Sequence, residues 1–129
     1  MLYHHSKILS GVSFEQAIEK VTEELKKEGF GVLTEVDVTS TFKKKLDVDF
    51  RNYRILGACN PTFAHKAISK EKHIGVFLPC NFVVQENEDG SIEVSAVDPV
   101  ASMMSVKNSG LGPIAMEVQE KMIAVVNAL

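Results

Sequence analysis

The hydrophobic period changes near residue 29, from about three and a half residues to two. Phe14, Ala17, Ile18, Val21 and Leu25 recur every three or four residues, the spacing of one buried face of a helix. Ser13 followed by Gln16 has capping-box spacing at the start of this run, and Gly29 stands where a helix ends, after Lys26, Lys27 and Glu28. From Phe30 the pattern alternates: Phe30, Val32, Thr34, Val36 and Val38 fall on one side of an extended chain, with Glu35 and Asp37 on the other. A helix that turns directly into a strand must bury both apolar faces in a single layered core.

The rest of the chain supplies the remaining elements. Leu2 to Leu9, rich in polar side chains, reads as an edge strand that includes the exposed pair His4 and His5. Thr39-Ser40 can cap a short helix from Thr41 to Leu46, with Phe42 and Leu46 on one side. The adjacent run Lys43, Lys44 and Lys45 reads as a solvated helix face. Tyr53 to Ala58 is a strand, and Asn60-Pro61 opens a short helix running to about Ser69, because proline at the first helical position sacrifices no hydrogen bond. His73 to Val84 is the longest apolar stretch; Pro79 within it predicts a bulge or an edge position. Asn87 to Gly90 forms a hairpin turn by composition, with Ile92, Val94 and Ala96 on the returning strand. A short helical turn follows around Ala101 to Met104, and a closing helix carries Leu111, Ile114, Ala115, Val118, Met122, Val125 and Val126. The order is strand, helix, strand, short helix, strand, short helix, hairpin, helix. It predicts an α+β fold with an antiparallel sheet and two main helices packed on one face.

At 129 residues the chain, 1–129, suits one domain. A net charge of -3 lacks the basic excess that a phosphate backbone demands, so nucleic acid is not expected as a partner. No stretch approaches the roughly 20 apolar residues of a membrane span, and the first ten residues do not resemble a secretory signal. The expected location is cytoplasmic, where reducing thiol pools make a disulfide between the two cysteines the least favoured arrangement.

Those cysteines occur in a doubled dipeptide, Cys59-Asn60 and Cys80-Asn81. Cys59 precedes a helix N-terminus, whose free N–H groups and dipole would favour a thiolate, although Asn60 as a cap would occupy the same N–H groups. His65, on the short helix that follows, could serve as proton acceptor or ligand. Cys80 and Asn81 are neighbours on a strand and point to opposite faces, so only one is expected at a shared site. Converging, Cys59, His65 and Cys80 would make a soft set suited to zinc or copper, yet their spacing matches no zinc motif. Cys59 with His65 could instead form a nucleophile and base, although no third group is evident. Asp98 before Pro99 could offer a carboxylate at a strand end, or simply a turn. Gly29 and Gly31 lie in helix-to-strand order, the reverse of a nucleotide-binding fingerprint.

The segments Gly29 to Val38, Tyr53 to Pro61 with Ala64-His65, Leu78 to Asn81 and Val97 to Pro99 closely resemble the family called domain of unknown function 302. The likeness covers nearly the whole chain. It implies a small α+β fold of the TATA-binding-protein type (strand, helix, four strands, helix), often a homodimer, with no assigned reaction or cofactor. It also implies that Cys59, Asn60, Pro61, His65, Cys80, Asn81 and Asp98 occupy motif positions. The expected function is binding of a small ligand, a metal or haem at a site including Cys59, His65 and Cys80. The alternatives are a thiol-dependent enzyme with Cys59 as nucleophile and His65 as base, and a structural or partner-binding module with packed cysteines.

Overall fold

The computed structural model describes residues 2–129. Strands β1 (His4–Leu9), β2 (Gly31–Asp37), β3 (Tyr53–Cys59), β4 (Cys80–Glu86) and β5 (Ile92–Val97) form one antiparallel sheet in the order β1-β5-β4-β3-β2. Helices α1 (Phe14–Lys27) and α5 (Gly112–Ala128) are the two long ones; α2 (Val38–Leu46), α3 (Pro61–Lys70) and α4 (Pro99–Ser102) are shorter. The α+β architecture expected from the sequence is the one observed.

Helix α1 forms where its local signals place it. The Ser13 hydroxyl accepts from the Gln16 N–H at 3.1 Å, and the Gln16 side chain accepts from the Ser13 N–H at 2.9 Å. At the other end Gly29 adopts φ +83°, with its N–H donating to Lys26 and that of Phe30 to Leu25. This left-handed termination satisfies the last carbonyls and turns the chain into β2 with Phe30 buried beside Leu25.

One core holds the layers together. Ala17, Val21 and Leu25 of α1 and Val118, Met122 and Val125 of α5 pack on the face of the sheet formed by Leu56, Phe82, Val84, Val94 and Ala96. Along β4 burial alternates, which puts Cys80, Phe82 and Val84 on the helix-covered face and Asn81 and Val83 on the other. No described helix is long and apolar enough to cross a membrane.

Three local expectations are corrected. Strand β2 does not keep one face, because its pairing jumps between Val32 and Thr34. Phe30 and Val32 pack on the core, Thr34 and Val36 stand opposite Gly57 and Ile55, and Glu35 and Asp37 come round to pair with Arg54 at 3.1 and 3.6 Å. The bulged residue flips every later side chain. Helix α2 starts at Val38 rather than Thr41, capped by Asp37, whose carboxylate accepts from the Ser40 N–H at 2.9 Å. The apolar run 73–84 is not one interrupted strand. Ile74–Phe77 is a 3-10 turn and Pro79 immediately precedes β4, an inner strand, so the proline is neither in a bulge nor at an edge.

Candidate functional site

The doubled Cys-Asn segments meet at one end of the sheet. Ala58 pairs with Cys80 across β3 and β4, so Cys59 and Cys80 come from the same end of adjacent strands. Both thiols line a cavity of about 310 Å³. Its walls are Ala58 and Pro79 from the sheet end, Phe63, Ala64, Ala67 and Ile68 from α3, and Ile114, Ala115 and Val118 from α5. Leu33, Leu78, Pro99 and Met103 close it further. No charged residue lines the cavity, and its only residues with polar side chains are Thr34, Asn60 and the two cysteines.

The two cysteines differ in setting. Cys80 is buried, and this burial, with a smaller contribution from Cys59, pushes its thiol up to about 11. At neutral pH it is a protonated, apolar wall group. Cys59 is half-buried at the end of β3. The next residue, Asn60, caps α3: its side-chain oxygen accepts from the N–H groups of Thr62 at 3.1 Å and Phe63 at 3.4 Å. These N–H groups, the ones that could have held a Cys59 thiolate, are therefore occupied by the neighbouring amide. The same amide packs against Gly29, where a Cβ would approach its nitrogen to 2.9 Å. Gly29 thus ends α1 and makes room for the cap of α3.

The other motif residues lie elsewhere. His65 is exposed and is not part of the cavity wall, because Phe63, Ala64, Ala67 and Ile68 use the opposite face of α3. The three-ligand set of Cys59, His65 and Cys80 does not assemble, and among the described residues no group of three His, Cys, Asp or Glu side chains is placed to hold a metal ion. Asn81 points away from Cys80, as alternation on a strand requires. It lies in a shallow groove on the sheet face that α1 and α5 leave uncovered, with Tyr3, His4, Tyr53, Val83 and Gln85.

Asp98 is buried and fully engaged. One carboxylate oxygen accepts from the N–H groups of Val100 at 2.8 Å and Ala101 at 3.2 Å, capping α4. The other lies 2.8 Å from His5 Nε2 and accepts from the Gln119 amide at 2.8 Å. Burial alone would raise this carboxyl, but its hydrogen bonds to Gln119, His5, Ala101 and Val100 outweigh it and hold it below the usual range. It fastens β1, α4 and α5 together behind the cavity wall contributed by Pro99. Sequence reasoning missed most of that wall: Phe63, Ala67, Ile114 and Val118 read as ordinary helix faces, and the apolar residues that α3 directs away from solvent were its only signal.

Comparison with known proteins agrees with the geometry. No curated protein matches the chain. A crystal structure of an uncharacterised conserved protein of the family DUF302 from Bacillus stearothermophilus is similar, with 29% identity, a TM-score of 0.90, and 98% of each chain covered. The model of the family described as domain of unknown function DUF302 matches residues 5–129, so that all the elements placing Cys59, Asn60 and Cys80 around the cavity fall within it, and the chain belongs to that family.

Proposed function

We propose that this domain binds a small apolar molecule in the cavity walled by Cys59, Cys80, α3 and α5. The observation that carries the reading is the lining: about 310 Å³ of concave space with no charged wall residue. Such a space is at the lower end of the ~300–1,000 Å³ common for small-molecule sites. The cleft is open enough that Leu33 and Ile68 in its wall are exposed, and a bound apolar molecule would take this surface out of water. Cys80 serves the site as a protonated wall group, and Cys59 is the group nearest to chemistry. Metal and haem recede in this reading, because the imidazole of His65 is outside the cavity.

The test is native mass spectrometry of protein purified from its own host, followed by titration with an apolar fluorescent probe. A co-purifying small molecule, lost in the Ala64→Leu variant that narrows the cavity, supports the reading. An empty protein whose probe affinity is unchanged by Ala64→Leu rejects it.

The sheet face away from α1 and α5 supports a second proposal, that two copies pair there. Tyr3, Tyr53, Val83 and Val97 line its groove, interspersed with Asn81, Gln85, Glu93 and Ser95, and the aromatic residues are of the kind enriched at protein interfaces. Sedimentation of the wild type and of Val83→Glu tests this. A dimer that becomes monomeric in the variant is expected, and a wild-type monomer would contradict it.

A further inference from the structure

The apolar cavity has a neighbour. A second cleft of about 450 Å³ lies between the segment following α4 and the start of α5, lined by Val100, Met104, Val106, Leu111 and Met116 among others. Met103 and Ala115 belong to the walls of both spaces. These two side chains stand in both walls, and around them Leu111 and Val106 of the outer space pack in one small apolar cluster with Ala67 and Leu78 of the inner one. Methionine has three rotatable side-chain bonds and no branch, so it repacks around an inserted chain at little cost.

The two compartments differ in polarity. The inner one has no charged lining, whereas Lys107, Asn108 and Ser109 stand at the outer one. The Lys70 side chain reaches the same place: its Nζ lies 3.8 Å from where a Cβ on Gly110 would stand, and the Asn108 amide donates to the Lys70 carbonyl at 2.9 Å. Lys107 thus lines the outer end of an otherwise apolar path, and Lys70 stands beside it together with Glu71, whose carboxylate accepts from the Asn108 amide at 3.4 Å.

We propose that the ligand is an unbranched amphipathic anion, a long-chain carboxylate in its simplest form, whose alkyl tail fills the inner cavity and passes Met103 while its head group meets Lys107 and Lys70. This rests on the reading of the inner cavity as a binding site and specifies what that site takes. The length follows from joining the two spaces, the lack of branching from having to pass the shared wall at Met103, and the negative charge from Lys107 and Lys70 at the outer end.

Titration calorimetry with octanoate, dodecanoate, hexadecanoate and hexadecanol tests the proposal on the intact chain. Each additional methylene withdrawn from water should raise affinity roughly two- to fourfold until the chain spans both spaces. Met103→Phe, which thickens the shared wall, should abolish the gain from dodecanoate to hexadecanoate. Lys107→Ala should weaken hexadecanoate about two- to fivefold at low salt and leave hexadecanol unaffected. Should Met103→Phe prove unfolded by circular dichroism, Met103→Ile, branched and stiffer, carries the same expectation. Octanoate binding without any gain for longer chains overturns this proposal while sparing the inner site. Equal binding of hexadecanol and hexadecanoate overturns the assignment of an anion, and failure of every probe overturns both proposals.

Discussion

Cys80 should be a slow thiol despite its place in the wall of a cavity. Burial, helped by Cys59, pushes its thiol up to about 11, against about 8.5 for a free cysteine. At about pH 8 roughly one Cys80 side chain in a thousand is thiolate, compared with roughly a quarter of free thiols, a deficit of about two hundredfold. A more basic thiolate is also the better nucleophile, and a Brønsted slope of about 0.4–0.5 returns roughly a tenfold factor. Alkylation by iodoacetamide should therefore be about twentyfold slower than for a free cysteine, before restricted access slows it further. The assay is peptide mass spectrometry on the Cys59→Ser variant, where Cys80 is the remaining thiol, over about pH 7 to 10. The rate should climb about tenfold per pH unit with no plateau, because burial rather than Cys59 is the larger cause and persists in the variant. A plateau below about pH 9, or a rate equal to that of a free thiol, would refute the assignment of Cys80 as an apolar wall group.

Two further predictions concern the frame of the site. At Gly57 a Cβ would collide with the Thr34 hydroxyl and stand 2.6 Å from Pro79 Cγ, so Gly57→Ala should cost about 1–3 kcal/mol and lower the thermal midpoint by roughly 3–10 °C. Gly75→Ala, with nothing within 4 Å of the new methyl, is the control and should stay within about 0.5 kcal/mol; equal shifts in both would remove the steric argument. The carboxyl of Asp98 is held low in the folded state, so its stabilisation is complete above the unfolded value of about 3.9 and is lost as pH falls through the folded value. In urea titrations at falling pH, Asp98→Asn should be less stable than wild type near neutrality and lose less on acidification below about pH 4. A parallel decline of the two proteins would contradict the network.

Elements whose signals are local were legible in the sequence. The Ser13–Gln16 box, the Gly29 termination and the Asn60-Pro61 start each depend on residues within one turn, and each stands where the pattern places it. Legibility failed where a distant partner decides the outcome. The bulge in β2 is set by its pairing with β3, and residues 74–77 are too few for period to distinguish a turn from a strand. For the same reason the motif residues could be chosen from the sequence but not sorted. The pairing of Ala58 with Cys80 brings both cysteines to one cavity, the rotation of α3 excludes His65, and the contacts of Asp98 with His5 and Gln119 span most of the chain.

If the cavity at the end of β3 and β4 takes an apolar ligand, the methyl groups of its wall must respond to one. Methyl NMR of alanine-labelled protein during titration with dodecanoate reads that response residue by residue. Shifts are expected at Ala58, Ala64, Ala67 and Ala115, which line that cavity, with little change at Ala17, on the buried face of α1. Shifts at Ala17 with none at the cavity alanines, or no saturable shift at all, would contradict binding there.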